Sequence, residues 1–139
     1  MTEKRPMILV AALIHDRDRK SVLLTRHDGH RRWHFPDGEL NPGERIVEAV
    51  TRSLKEDLGL LPAEVDDRFC LPTDTILLER GFHAVTLHFP VHLPAEPVFA
   101  PKIGLEMRWQ SLGVRAMPGS HELLTSTAEV LHRLVEDGA

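Results

Sequence analysis

The first apolar stretch, MILVAALIH at 7–15, is short, continuous and rich in Ile, Leu and Val, and predicts a buried strand. A polar turn, DRDRK, separates it from SVLLTRH at 21–27, a second strand, so the pair predicts a hairpin. Residues 28–44 break the pattern with Gly29, Pro36, Gly38, Pro42 and Gly43 and predict a loop, with one short extended piece around Trp33–Phe35. The clearest periodicity follows at 45–62. Val47, Val50, Leu54, Leu58 and Leu61 recur at three- and four-residue spacings and predict a helix with one buried face. Gly59 and Pro62 stand where such a helix stops. A strand pair is expected at Thr75–Glu79 and Phe82–Leu93. In the second piece Val85, Leu87, Phe89 and Val91 share a parity, which turns them inward and puts Ala84, Thr86 and His88 outward, with His88 at the surface. Residues 94–104 hold three prolines and predict a loop. Glu106–Leu112 reads as a short strand and Ser120–Val135 as a closing amphipathic helix. The sum is an α/β fold: one domain over residues 1–139, a mixed β-sheet with helices packed on it.

Composition narrows the class without naming a function. With 42% hydrophobic and 27% charged residues in 139, the chain can close a core without staples. A formal net charge of −4 gives no reason to expect a nucleic-acid duplex or an anionic membrane as partner. A polyanionic small molecule stays open, because a metal or a local basic patch overrides the global sign. Cys70 is the single cysteine, so no internal disulfide forms; a reducing, cytoplasmic setting is the simpler expectation, with Cys70 a small buried hydrophobe. The apolar run after the N-terminus is too short for a membrane span and lacks a signal-peptide cleavage pattern. The oligomeric state is left open, a homodimer among the options.

On a helical wheel with Glu56 at zero, the predicted apolar stripe centres near about 160°, while Glu56, Asp57, Ser53 and Ala49 fall between roughly 0° and 100°. Arg52 lies just outside that sector, beside Glu56. Two adjacent carboxylates repel unless a cation is near, and hard divalent cations take such oxygen ligands. A solvated helix face would look the same.

The loop before the helix changes that weighting. Gly38, Glu44, Arg52, Leu54, Glu56, Gly59 and Leu60 fall in the frame G-x5-E-x7-R-x-U-x-E-x-x-G-U, with U aliphatic. In this the sequence resembles the Nudix (MutT-like) family, whose box reads G-x5-E-x7-R-E-U-x-E-E-x-G-U. Gly38–Leu60 matches seven of the nine defined positions, and Asp57 for Glu keeps a carboxylate. The lead-in WHFPDGE is similar to the family's W-x-F-P-G-G, and PGSHELL near the last helix to the short triphosphatase branch. The resemblance implies an α/β/α sandwich and hydrolysis of a nucleoside di- or triphosphate-type pyrophosphate bond with Mg²⁺ or Mn²⁺. It implies Glu56 and Asp57 as metal ligands, Arg52 as the group that holds the carboxylates, and Glu44 and Gly59 as structural members of the box. Gly38 is expected to provide a backbone turn, and Arg26 and His121 are candidate substrate contacts.

Three departures from the family pattern stand out. Ser53 replaces a Glu that binds metal or acts as base in many members, and a Ser hydroxyl does neither well. Glu106 is the candidate substitute base. Asp37 replaces the first glycine of a Gly-Gly pair and adds a carboxylate near the site. His121 stands where triphosphatase relatives carry an amide. The alternative reading is therefore a nucleotide-binding or regulatory module that kept the fold and lost the chemistry. Restoring Glu at position 53 is expected to raise hydrolysis if the missing carboxylate limits turnover.

Overall fold

In the computed structural model, residues 5–77, 81–119 and 121–137 are described. Among the described residues, seven strands and two α-helices run in the order β1 (Met7–Ile14), β2 (Ser21–His27), β3 (Asp37–Glu39), α1 (Ile46–Leu58), β4 (Glu64–Val65), β5 (Leu71–Leu77), β6 (Phe82–His92), β7 (Leu105–Ser111) and α2 (Thr125–Asp137). A 3-10 turn, Val114–Ala116, precedes the last helix. The predicted elements are present, with shifted ends. The strand expected at Thr75–Glu79 is Leu71–Leu77, and residues 78–80 lie outside the described residues. The closing helix starts at Thr125; Leu123 lies before it, bridged to Trp33, and Ser120 lies outside the described residues.

The main sheet is mixed. β1 pairs antiparallel with β3 on one edge and parallel with β6 on the other, while β5 and β4 occupy the far edge of β6 in antiparallel pairing. β2 and β7 form a separate antiparallel pair. The expected β1–β2 hairpin is therefore absent. Its turn closes, through Asp16 N–H to Ser21 O and a single bridge between His15 and Val22, but the strands then part. The reason is that both edges of β1 are already filled.

Each helix covers one side of the sheets. Ala49, Val50, Leu54 and Leu58 of α1 pack with Val10, Ala12, Ile14, Phe89 and Val91. Val130 and Leu131 of α2 pack with Ala11, Leu13, Phe35 and Leu24 on the opposite side. The result is an α/β/α sandwich. Because β6 is covered on both faces, its outward parity is not solvated: Ala84, Thr86 and His88 are buried, contrary to the surface position expected for His88. The His88 ring meets Phe35 edge-on and its Nδ1 bonds to Leu71 O at 2.8 Å.

The buried face of α1 also departs from expectation. Val47 and Leu61 are exposed, whereas Ala49 and Ser53 are buried. The buried set Ala49, Ser53, Val50, Leu54 and Leu58 centres near about 110° on the wheel, some 50° from the predicted stripe. β3 is the cause: it lies against the small-residue side of the helix, where Ala49 and Ser53 let it approach. Cys70 is exposed rather than buried, in the segment leading into β5.

Candidate active site

Glu44, in the turn before α1, anchors the site. Its carboxylate accepts Asn41 N–H at 3.2 Å and both Nε and Nη2 of Arg52, at 2.8 and 3.0 Å. Arg52 Nη2 also donates to Glu39 O at 2.7 Å, and Nη1 lies 3.5 Å from Glu56 Oε2. One planar guanidinium thus ties the pre-helix turn, strand β3 and the third turn of α1 together. The Arg52 hydrogen bonds hold the Glu44 carboxyl below the usual carboxylate range, and Glu44 in turn raises Arg52. Glu56 stays in water, its side chain 62% exposed.

β3 also packs directly on α1 at Gly38. Gly38 is extended, with no positive φ, so the expected special turn is not what calls for glycine here. Contact is: a Cβ on Gly38 would collide with Ser53 Oγ and sit 2.8 Å from Ser53 Cβ. Ser53 therefore does not open into a cleft, as expected from the wheel. It is 6% exposed, and its hydroxyl donates back to Ala49 O at 2.9 Å. The residue that departs most from the family box is thus buried between α1 and β3.

At the other end, α1 stops on Gly59 in the left-handed conformation, φ 64°. Its last carbonyls are taken by the 94–104 loop: Ala100 N–H bonds to Leu58 O at 2.7 Å and Lys102 N–H to Asp57 O at 2.8 Å. A Cβ on Gly59 would come within 2.9 Å of Ala100 Cβ, so the close approach also favours glycine. This clamp carries Lys102 over Asp57, where Nζ lies 2.8 Å from Oδ1. Asp37, from β3, completes the group. Burial pushes its carboxyl up, the Asp57 charge adds to that, and His34, His27 and Lys102 oppose it.

Asp37, Glu56 and Asp57 offer hard carboxylate oxygens, the donor type that suits Mg²⁺ or Mn²⁺. Among the described residues no three such groups form a ready cage. That too is compatible with Mg²⁺, which commonly takes one or two carboxylates and completes its shell with water and substrate phosphate.

A cavity of about 300 Å³ opens beside Asp37, between the sheet and the start of α2, lined among others by His34, Phe35, Thr86, His88 and Thr127. Its walls are mostly apolar with a few hydroxyls, as a small-molecule pocket requires. The other candidates lie apart from it. Arg26 and Glu106 face each other across β2 and β7 and form an ion pair, with Arg26 Nε 2.9 Å from Glu106 Oε2. Arg26 also stacks on Trp33, 4.4 Å from the ring centre. His121 lies in a shallow recess with Arg26, Arg31 and Arg32. Lys102 is the main participant that sequence reasoning missed; it sits in a proline-rich loop with no motif, and only the folded clamp brings it to Asp57.

Comparison with known proteins identifies the family and the fold. Residues 5–112 match the family model described as NUDIX domain. Over 54 residues the chain is 43% identical to an RNA pyrophosphohydrolase of Legionella pneumophila, a match covering 39% of this chain but only 30% of that relative. The fold is similar to the MutT NUDIX hydrolase from Burkholderia pseudomallei, with TM-score 0.74, 22% identity, and 93% of this chain and 98% of that one covered. It is also similar to a bifunctional NMN adenylyltransferase/ADP ribose pyrophosphatase from Francisella tularensis, complexed with AMP and a Mn ion. There the TM-score is 0.73 at 17% identity, covering 100% of this chain and 44% of that one.

Proposed function

The chain belongs to the Nudix family, and from that premise we propose that it hydrolyses a pyrophosphate bond of a nucleoside di- or triphosphate-type substrate with the help of Mg²⁺ or Mn²⁺. The observation that carries the reading is the Arg52 network. Glu39, Glu44, Arg52 and Glu56 are locked into one loop–helix unit that leaves the Glu56 carboxylate in water beside Asp57, whose ammonium partner Lys102 a cation would have to share or displace.

In this reading Glu56 and Asp57 are metal ligands and Arg52 positions Glu56. A divalent cation bound there would neutralise charge on the anhydride and lower the pKa of an attacking water. Lys102 holds Asp57 in place and supplies positive charge at the edge of the site. The cavity beside Asp37 receives the less polar part of the substrate, and Arg26, Arg31, Arg32 and His121 form a basic flank for phosphates. Glu106 is the candidate base, held in orientation by Arg26. Residues 1–139 act as one domain on a small-molecule nucleotide, without a nucleic-acid or membrane partner. Among the described residues no helix is long and apolar enough to cross a membrane.

A second reading, a nucleotide-binding module with little turnover, is favoured by one observation: Ser53 is neutral, buried and bonded to its own helix. Phosphate and pyrophosphate release from a nucleotide panel, with Mg²⁺ and with Mn²⁺, separates the two. Turnover on any member supports the enzyme. Tight nucleotide binding without turnover, followed by a gain in Ser53→Glu, supports the module.

A further inference from the structure

We propose that Asp37 is itself a metal-ligating carboxylate, so that this chain has moved one acidic group from helix position 53 to the adjoining strand position 37. The inference rests on the metal-dependent reading above and deepens it.

Nothing in the fold of β3 calls for an acid at position 37. The residue pairs with Ala11 of β1 through its backbone, and its φ is not positive, so Asn or Gly would serve the strand equally well. Its neighbour Gly38 rests on Ser53, which fixes Asp37 beside the helix turn that carries Ser53 and Asp57. The carboxyl borders the 300 Å³ cavity, where a ligand can reach it. Its partners within the chain are poor. Oδ2 lies 3.6 Å from His34 Nδ1, beyond hydrogen-bond reach, and that nitrogen is already bonded to Phe35 O at 2.8 Å. The nearby ammonium of Lys102 is placed on Asp57.

A half-buried carboxylate near a second carboxylate is unfavourable unless a cation serves both. A hard divalent cation between Asp37 and Asp57 relieves that cost with oxygen ligands it prefers. Ser53 cannot, because its hydroxyl carries no charge and is bonded to Ala49 O. The acidic complement of the site is then preserved although the helix has lost one member.

The test uses the full chain freed of metal with a chelator, titrated with Mn²⁺ and followed by the electron paramagnetic resonance of the free ion. Asp37→Asn and Asp37→Gly are each expected to raise the Mn²⁺ dissociation constant about 10-fold or more, with metal-free melting temperatures no lower than the parent's. Adding Ser53→Glu to Asp37→Gly moves the carboxylate back to the helix and is expected to recover affinity. Parent-like affinity in Asp37→Asn or Asp37→Gly overturns the assignment of Asp37 while leaving the enzyme reading intact. A double variant with no recovery overturns the relocation. A parent chain that binds no Mn²⁺ overturns the metal-dependent reading itself.

Discussion

Gly38→Ala is expected to destabilise the protein through a single contact. The new methyl would overlap Ser53 Oγ and stand 2.8 Å from Ser53 Cβ. The hydroxyl can rotate away, giving up its bond to Ala49 O, worth about 0.5–1.5 kcal/mol. The Cβ cannot move, because it is fixed to the helix backbone, and carbon atoms pack at roughly 3.5–4.0 Å. The gap between β3 and α1 must therefore open by about 1 Å. Overpacking of this kind costs about 1–3 kcal/mol, which for a domain of this size lowers Tm by roughly 4–12 °C. Calorimetry or urea melting measures the change. Ser53→Gly removes both clashing atoms, so the double variant should show a favourable coupling of about 1 kcal/mol or more. The same opening displaces Asp37, so Gly38→Ala should also weaken Mn²⁺ binding. A Gly38→Ala protein as stable as its parent, or a loss that Ser53→Gly does not relieve, would refute the close packing of strand on helix.

Leu54 is almost fully buried between α1 and the sheet, and Leu54→Ala should cost about 2–5 kcal/mol in urea melting; a loss below about 1 kcal/mol would contradict the helix orientation. Burial lowers the His88 pKa below its usual 6.5, with the hydrogen bond to Leu71 O and, less, the Glu129 charge acting against that. In the window below 6.5 the unfolded chain binds more protons than the native one, so stability present near neutral pH is lost as the pH falls. His88→Gln should flatten the fall in melting temperature between neutral and mildly acidic buffers, and an unchanged slope would remove His88 as its source. Glu106→Gln breaks an ion pair that is partly exposed, worth about 0–1 kcal/mol. If Glu106 is the base, hydrolysis should fall by about 10²–10⁴-fold with little change in stability; full activity would exclude the role.

Much of this fold is legible in the sequence because each main element carries its own period. The apolar runs of β1 and β2 and the spaced aliphatics of α1 mark themselves. Pairing does not. That β1 joins β3 and β6 rather than β2 depends on contacts between segments distant in sequence, and no local pattern encodes them. The same holds for His88: alternation in β6 distinguishes two faces but cannot tell that a second helix covers the other one. In the candidate site, the box residues Glu44, Arg52 and Glu56 were recognisable by spacing, and the fold brings them together. The setting of Ser53 was not, because the wheel alone places it on an open face and only β3 closes it. Lys102 reaches Asp57 through a loop whose course depends on the end of α1.

The most direct test of the account compares the parent chain with Glu56→Gln, measuring kcat/KM for the best nucleotide substrate against Mn²⁺ and Mg²⁺ concentration. The account predicts turnover that requires the cation, disappears with chelator, and falls in Glu56→Gln beyond the ~10–100-fold typical of residues that only support a ligand. Hydrolysis that persists without divalent cation, or a Glu56→Gln protein as active as its parent at every metal concentration, would contradict it.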